Sequence, residues 1–173
     1  LNCEEICDYM NHYLPEDIEI LRVSQVSERF HSRLNAKEKL YRYRIGIGSH
    51  KNVFERKYIC PLHETYDVEA MEKAAGYLTG THDFRSFCAN KKMKKSTVRT
   101  IYEIKITEFP KELQIDYRGD GFLYNMVRLL TGTLIEIGRG SREPEEIQEI
   151  LEGRDRGLAG FTAPARGLTL VEV

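Results

Sequence analysis

The chain has 173 residues, 41% hydrophobic and 31% charged, with 26 Lys and Arg against 27 Asp and Glu. That length and composition suit one domain, or most of one, with a sizeable core, and they exclude a disordered or low-complexity chain. A formal net charge of -1 gives no global pull toward nucleic acid or an anionic surface. The four cysteines (Cys3, Cys7, Cys60, Cys88) form no small disulfide framework, and no apolar run reaches membrane-spanning length.

In chain order, Ile6, Met10 and Tyr13 recur on one face of a first helix that Leu14-Pro15 closes. Ile18 to Val26 reads as a strand. The clearest strand runs from Tyr41 to Ile47, where odd positions are apolar or aromatic and even ones are basic or Gly, which predicts one packed face and one basic face. Asp67 suits the cap of a helix carrying Val68, Met71, Ala75 and Leu78, stopped at Gly80. Residues 102–106 and 113–117 alternate as a hairpin around Phe109-Pro110. Leu129 to Ile137 is apolar on nearly every face and predicts a buried helix. Pro144, Glu145 and Glu146 open another helix with Ile147, Ile150 and Leu151, ended by Gly153, and Gly167 to Val173 reads as a last strand. This order predicts an α+β fold with a mixed, largely antiparallel sheet flanked by helices. The absence of an initiator Met, with a helix almost at the first residue, reads as a piece of something longer. Cysteine usage and the absence of a secretory signal read as a reduced, cytoplasmic setting.

One residue breaks the pattern of the buried helix. Arg128 stands among apolar neighbours, and a charge there is costly unless it meets an opposite one. Asn125, Arg128 and Gly132 fall three and four apart on one face, with Gly132 leaving room for an approaching group. An internal salt bridge to an acid such as Glu136 is the plain alternative to a functional partner.

Charge is segregated despite the neutral sum. Arg33, Lys37, Lys39, Arg42 and Arg44 form one basic stretch, and Lys91, Lys92, Lys94, Lys95 and Arg99 a second. Meeting on one face, they would track phosphates, with Tyr41, Tyr43 and Phe84 as stacking groups, while each alone is an ordinary solvated surface. Metal and triad chemistry find little support. Cys60 and His63 lack a second ligand pair, and His82, Asp83 and Ser86 lie close together without a nucleophile elbow, His82 with Asp83 reading as a turn with a local hydrogen bond.

Four ordered segments then carry a resemblance. Residues 30–43 (FHSRLNAKEKLYRY), 83–87 (DFRSF), 120–128 (DGFLYNMVR) and 163–170 (APARGLTL) resemble the family of tRNA pseudouridine synthase A across nearly the whole chain. The resemblance implies a pseudouridine synthase fold and isomerisation of uridine to pseudouridine in the tRNA anticodon arm, at tRNA positions 38 to 40. It further implies a homodimer acting on tRNA without a cofactor or metal. It assigns the active-site tyrosine to Tyr41, the arginine that pairs with the catalytic aspartate to Arg128, and the apolar lining of the uracil pocket to Leu168. His31, Arg33, Arg85, Lys92 and Lys95 are expected contacts to phosphate or ribose.

The family's aspartate belongs to an Arg-Thr-Asp-x-Gly-Val-His run that this sequence lacks, so residues 1–173 are expected to be the C-terminal RNA-binding and catalytic part of the enzyme, without its nucleophile. The expectation is that the isolated chain is inactive. The alternative is a non-catalytic RNA-binding or dimerisation module of the same fold.

Overall fold

The computed structural model describes residues 1–49, 53–62 and 64–173, which form two compact units, Leu1–Ala36 and Lys37–Val173. In the first unit, helix α1 spans Cys3–Tyr13, with a reciprocal cap between Asn2 and Glu5 and a stop at Leu14. None of its residues is buried. The expected strand at Ile18 to Val26 does not form. The backbone N–H and carbonyl of Ile20 bond the Asn11 side chain, at 2.7 and 2.9 Å, in place of a ladder partner.

The second unit is a six-stranded sheet with helices packed on one face. Its strands are β1 (Lys39–Gly46), β2 (Cys60–Pro61), β3 (Gly80–Asp83), β4 (Val98–Phe109), β5 (Glu112–Gly119) and β6 (Leu168–Glu172), in the order β2-β1-β5-β4-β3. The pairings are antiparallel except β1 with β2. On the side away from β5, β1 carries two short partners in tandem, β6 along Leu40 to Tyr43 and β2 along Ile45 and Gly46. The expected 102–106 and 113–117 hairpin is present and longer at both ends.

Period-two burial explains the sheet's sidedness. Tyr43 and Ile45 of β1 and Leu113, Ile115 and Tyr117 of β5 are fully buried under the helices. The helices are α2 (Val68–Leu78), capped by Asp67, α3 (Met126–Gly138) and α4 (Glu146–Gly153). Every residue of α3 is buried except Arg128 and Glu136. Its two threonines satisfy themselves inside the helix, each hydroxyl donating to the carbonyl four residues back at 2.9 Å. Among the described residues no helix is long and apolar enough to cross a membrane.

The reading of His82 and Asp83 as a turn is corrected. Both lie in β3, paired with Arg99 and Val98 of β4, although hydrogen bonds of the expected kind exist: the His82 ring donates to the Thr79 carbonyl, and the Asp83 carboxylate accepts from the Arg85 N–H and the Thr97 hydroxyl.

Candidate active site at the start of the buried helix

Helix α3 begins irregularly. Asn125 occupies the N-cap position in the left-handed region, at φ 58°, which a short polar side chain tolerates better than most, and its amide does not cap the helix. The amide oxygen instead accepts from a terminal nitrogen of Arg128 at 3.3 Å. Arg128 Nε donates to the Ala163 carbonyl at 2.6 Å, and the Arg128 carbonyl accepts from the Ala163 N–H at 3.1 Å. The segment 160–164 thus forms a strap across α3, bonded to the arginine at both its backbone and its side chain.

The strap explains Gly132. A Cβ at that position would sit 1.8 Å from the Phe161 carbonyl oxygen, so the room seen in sequence is filled by backbone of the same chain. Further along, Thr133 Oγ1 accepts from the Gly160 N–H at 2.9 Å and Glu136 Oε1 from the Phe161 N–H at 3.1 Å. Glu136 is itself paired with Arg142 at 2.6 Å, so it is not the partner of Arg128. Among the described residues no carboxylate lies within ion-pair distance of Arg128. Its guanidinium is only part-buried.

The strap also meets β1. The Tyr43 hydroxyl donates to the Pro164 carbonyl at 2.7 Å, next to the carbonyl that receives Arg128. Burial pushes the Tyr43 hydroxyl far above the ordinary tyrosine range, the neighbouring Cys60 and Tyr117 push the same way, and Arg128 opposes them. Leu168, half-buried, opens β6 directly opposite Tyr43. Gly167 must lack a side chain because a Cβ there would lie 2.8 Å from the Tyr43 ring and from the Arg44 carbonyl. Tyr41 sits two residues earlier on the same helix-side face of β1, opposite Leu170 on β6 and Tyr117 on β5. Its ring meets Phe122 edge-on, with centroids 5.3 Å apart, and Phe122 belongs to the loop that leads into Asn125 and Arg128. The strap carbonyls were not legible as site components, because backbone acceptors carry no side-chain signal.

The second lysine stretch borders this loop. The Ala89 N–H donates to the Tyr124 carbonyl at 3.1 Å. Arg85 donates to the carbonyls of Lys91 and Met93, at 3.0 and 3.4 Å, so two of its donors brace the lysine loop from within. Asn90 Oδ1 accepts from the Lys92 N–H at 3.0 Å. Ala89, Asn90, Lys91, Lys92 and Tyr124 line a shallow recess there. Lys92 and Lys95 are exposed.

The first basic stretch behaves differently from the sequence reading. Arg42 makes a two-point pair with Asp116, both bonds 2.7 Å, and Arg44 a two-point pair with Glu112, at 2.6 and 2.7 Å, with Glu55 at 2.8 Å. Asp116 lies opposite Arg42 on β5, and Glu112 two positions diagonally from the partner of Arg44. The expected basic face of β1 is therefore a neutralised cross-strand ladder. The stacking expectation is corrected too, since Tyr43 and Phe84 are fully buried. In the first unit, His31 Nδ1 accepts from the backbone N–H groups of Arg33 and Leu34, at 3.2 and 3.4 Å, and Arg33 is exposed. Cys60 is buried, and His63, its suggested partner, lies outside the described residues.

Comparison with known proteins identifies the chain's family. The tRNA pseudouridine synthase family matches residues 74–173. Over 95% of its length the chain is 46% identical to tRNA pseudouridine synthase A of Bacillus pumilus (strain SAFR-032) and 49% identical to that of Anoxybacillus flavithermus (strain DSM 21510 / WK1), spanning 66% of each. It is 45% identical to the protein of the same name from Brevibacillus brevis (strain 47 / JCM 6285 / NBRC 100599), spanning 67% of it. With the family match running from within α2 to β6, through both the strap and the arginine it holds, the chain belongs to the tRNA pseudouridine synthase family.

Proposed function

We propose that this chain supplies the arginine, the tyrosine and the apolar wall of a site that isomerises uridine to pseudouridine in the anticodon arm of tRNA, and that the nucleophilic carboxylate is not among its residues. The observation that carries the proposal is Arg128, held in place by Asn125 and the Ala163 carbonyl, part-buried, and paired with no carboxylate among the described residues. A guanidinium so placed would keep an incoming carboxylate ionised and nucleophilic by lowering its pKa. Conversion breaks the bond between ribose C1′ and N1, turns the uracil, joins C1′ to C5, and moves the C5 proton to solvent while N1 gains one. Tyr41 is given the base-facing role, its ring steadied by Phe122 and its hydroxyl accepting or relaying the C5 proton. Leu168 is given the exclusion of water from the pocket.

His31, Arg33, Arg85, Lys92 and Lys95 are proposed to contact the RNA backbone, and the working form is proposed to be a homodimer in the cytoplasm that needs no metal or cofactor. The test is release of tritium from tRNA labelled at uracil C5. The chain alone should release none while still binding an anticodon stem-loop, and clear turnover would overturn the role given to an external carboxylate.

A further inference from the structure

Of the aromatic groups suggested for stacking, Tyr43 and Phe84 are buried, yet the loop entering α3 presents another besides Tyr41. Tyr124 is 66% exposed, between Leu123, which is 5% exposed, and Asn125 in its left-handed conformation. Its backbone is fixed at both sides, by the Ala89 N–H on its carbonyl and by the Leu123 to Met126 turn that starts the helix. The facing wall of the recess is fixed as well, because Arg85 holds the Lys91 and Met93 carbonyls and Asn90 holds the Lys92 N–H. Among the described residues no carboxylate pairs with Lys91 or Lys92. The backbone is rigid, the ring is open, and the ammonium groups beside it are uncompensated.

We infer that this recess is a subsite for an unpaired nucleobase of the RNA substrate, separate from the reacting uridine, with the base stacked on Tyr124 and its flanking phosphates on Lys91 and Lys92. The inference rests on the RNA-modifying function proposed above. An exposed aromatic face accepts any base, and adjacent lysines supply phosphate neutralisation without sequence readout, so the subsite selects for single-stranded character. Its place, four residues before Arg128, suits an extruded loop nucleotide adjoining the one drawn into the pocket.

The test is fluorescence binding of an anticodon stem-loop RNA carrying 2-aminopurine at one unpaired position at a time, which needs no turnover. With the wild-type chain, 2-aminopurine at one position should change its emission on binding. Tyr124→Ala should abolish that change and weaken binding about tenfold, while Tyr124→Phe should restore both. Wild-type binding with an unaltered Tyr124→Ala affinity and emission overturns the subsite and leaves the proposed function standing. No binding of the stem-loop by the wild-type chain overturns both. A Tyr124→Ala change in sedimentation with unchanged RNA affinity assigns the tyrosine to a contact between copies of the chain and likewise overturns the subsite.

Discussion

Tyr43 and Tyr117 are the residues on which the packing of the site turns, and both are held neutral by burial. Tyr117 reaches Thr131 Oγ1 at 2.8 Å, and because that hydroxyl already donates to Val127, Tyr117 is the donor. Burial pushes its hydroxyl well above the tyrosine range. A tyrosine that stays protonated when folded retains a proton that the unfolded chain gives up above about pH 10. The associated stability is complete below that pH and falls as pH rises, by about 1.4 kcal/mol per pH unit for each such group. Alkaline unfolding should therefore be steep, and absorbance near 295 nm should show these rings ionising only with unfolding. Tyr43→Phe should flatten the pH slope while costing about 1 kcal/mol at neutral pH for the lost bond to Pro164. Tyr41 is the contrasting case. In any active assembly of this chain, Tyr41→Phe keeps the ring against Phe122 and removes the hydroxyl, so single-turnover rate should fall about 10²-fold with RNA affinity unchanged.

At the scale of elements, α3 and the strap form one device. Gly132→Ala would drive a methyl into the Phe161 carbonyl and should lower stability by about 3 kcal/mol in urea unfolding. Glu136→Gln keeps an acceptor for the Phe161 N–H but removes the ion pair with Arg142, for about 1 kcal/mol and faster amide exchange at Gly160 and Phe161. The elements themselves were largely legible. Asp67 before Val68 and the alternation in β1, β4 and β5 are local signals, and the structure follows them. Arg128 was legible as an anomaly, since a charge in an all-apolar helix needs a reason. Of its actual partners, Asn125 was legible as a neighbour on the same face, whereas the Ala163 carbonyl was not, because it is backbone and lies 35 residues on. The Ile18 to Val26 strand failed for a related reason: its composition suits a ladder, but Asn11 takes the backbone groups of Ile20.

Across the whole molecule, a near-zero net charge conceals two unlike basic groups. The β1 arginines are neutralised by β5 carboxylates, whereas the lysines after Asn90 pair with no carboxylate among the described residues. Anisotropy titrations of a stem-loop RNA over a range of salt should separate them. Lys92→Ala with Lys95→Ala should reduce the salt slope by up to about one unit for each lost phosphate contact. Arg42→Ala should leave the slope unchanged and lower stability by up to about 1 kcal/mol. The tandem pairing along β1 has a consequence for how the protein is made. Synthesis runs from the N-terminus, so β1 leaves the ribosome long before β6, the strand that brings Leu168 opposite Tyr43. Until β6 emerges, the Leu40 to Tyr43 stretch of β1 has no ladder partner on the side away from β5. A chain whose β6 detaches would keep most of its core yet lose Leu168 from beside Tyr43, so the proposed competence and cooperative folding should be separable properties here.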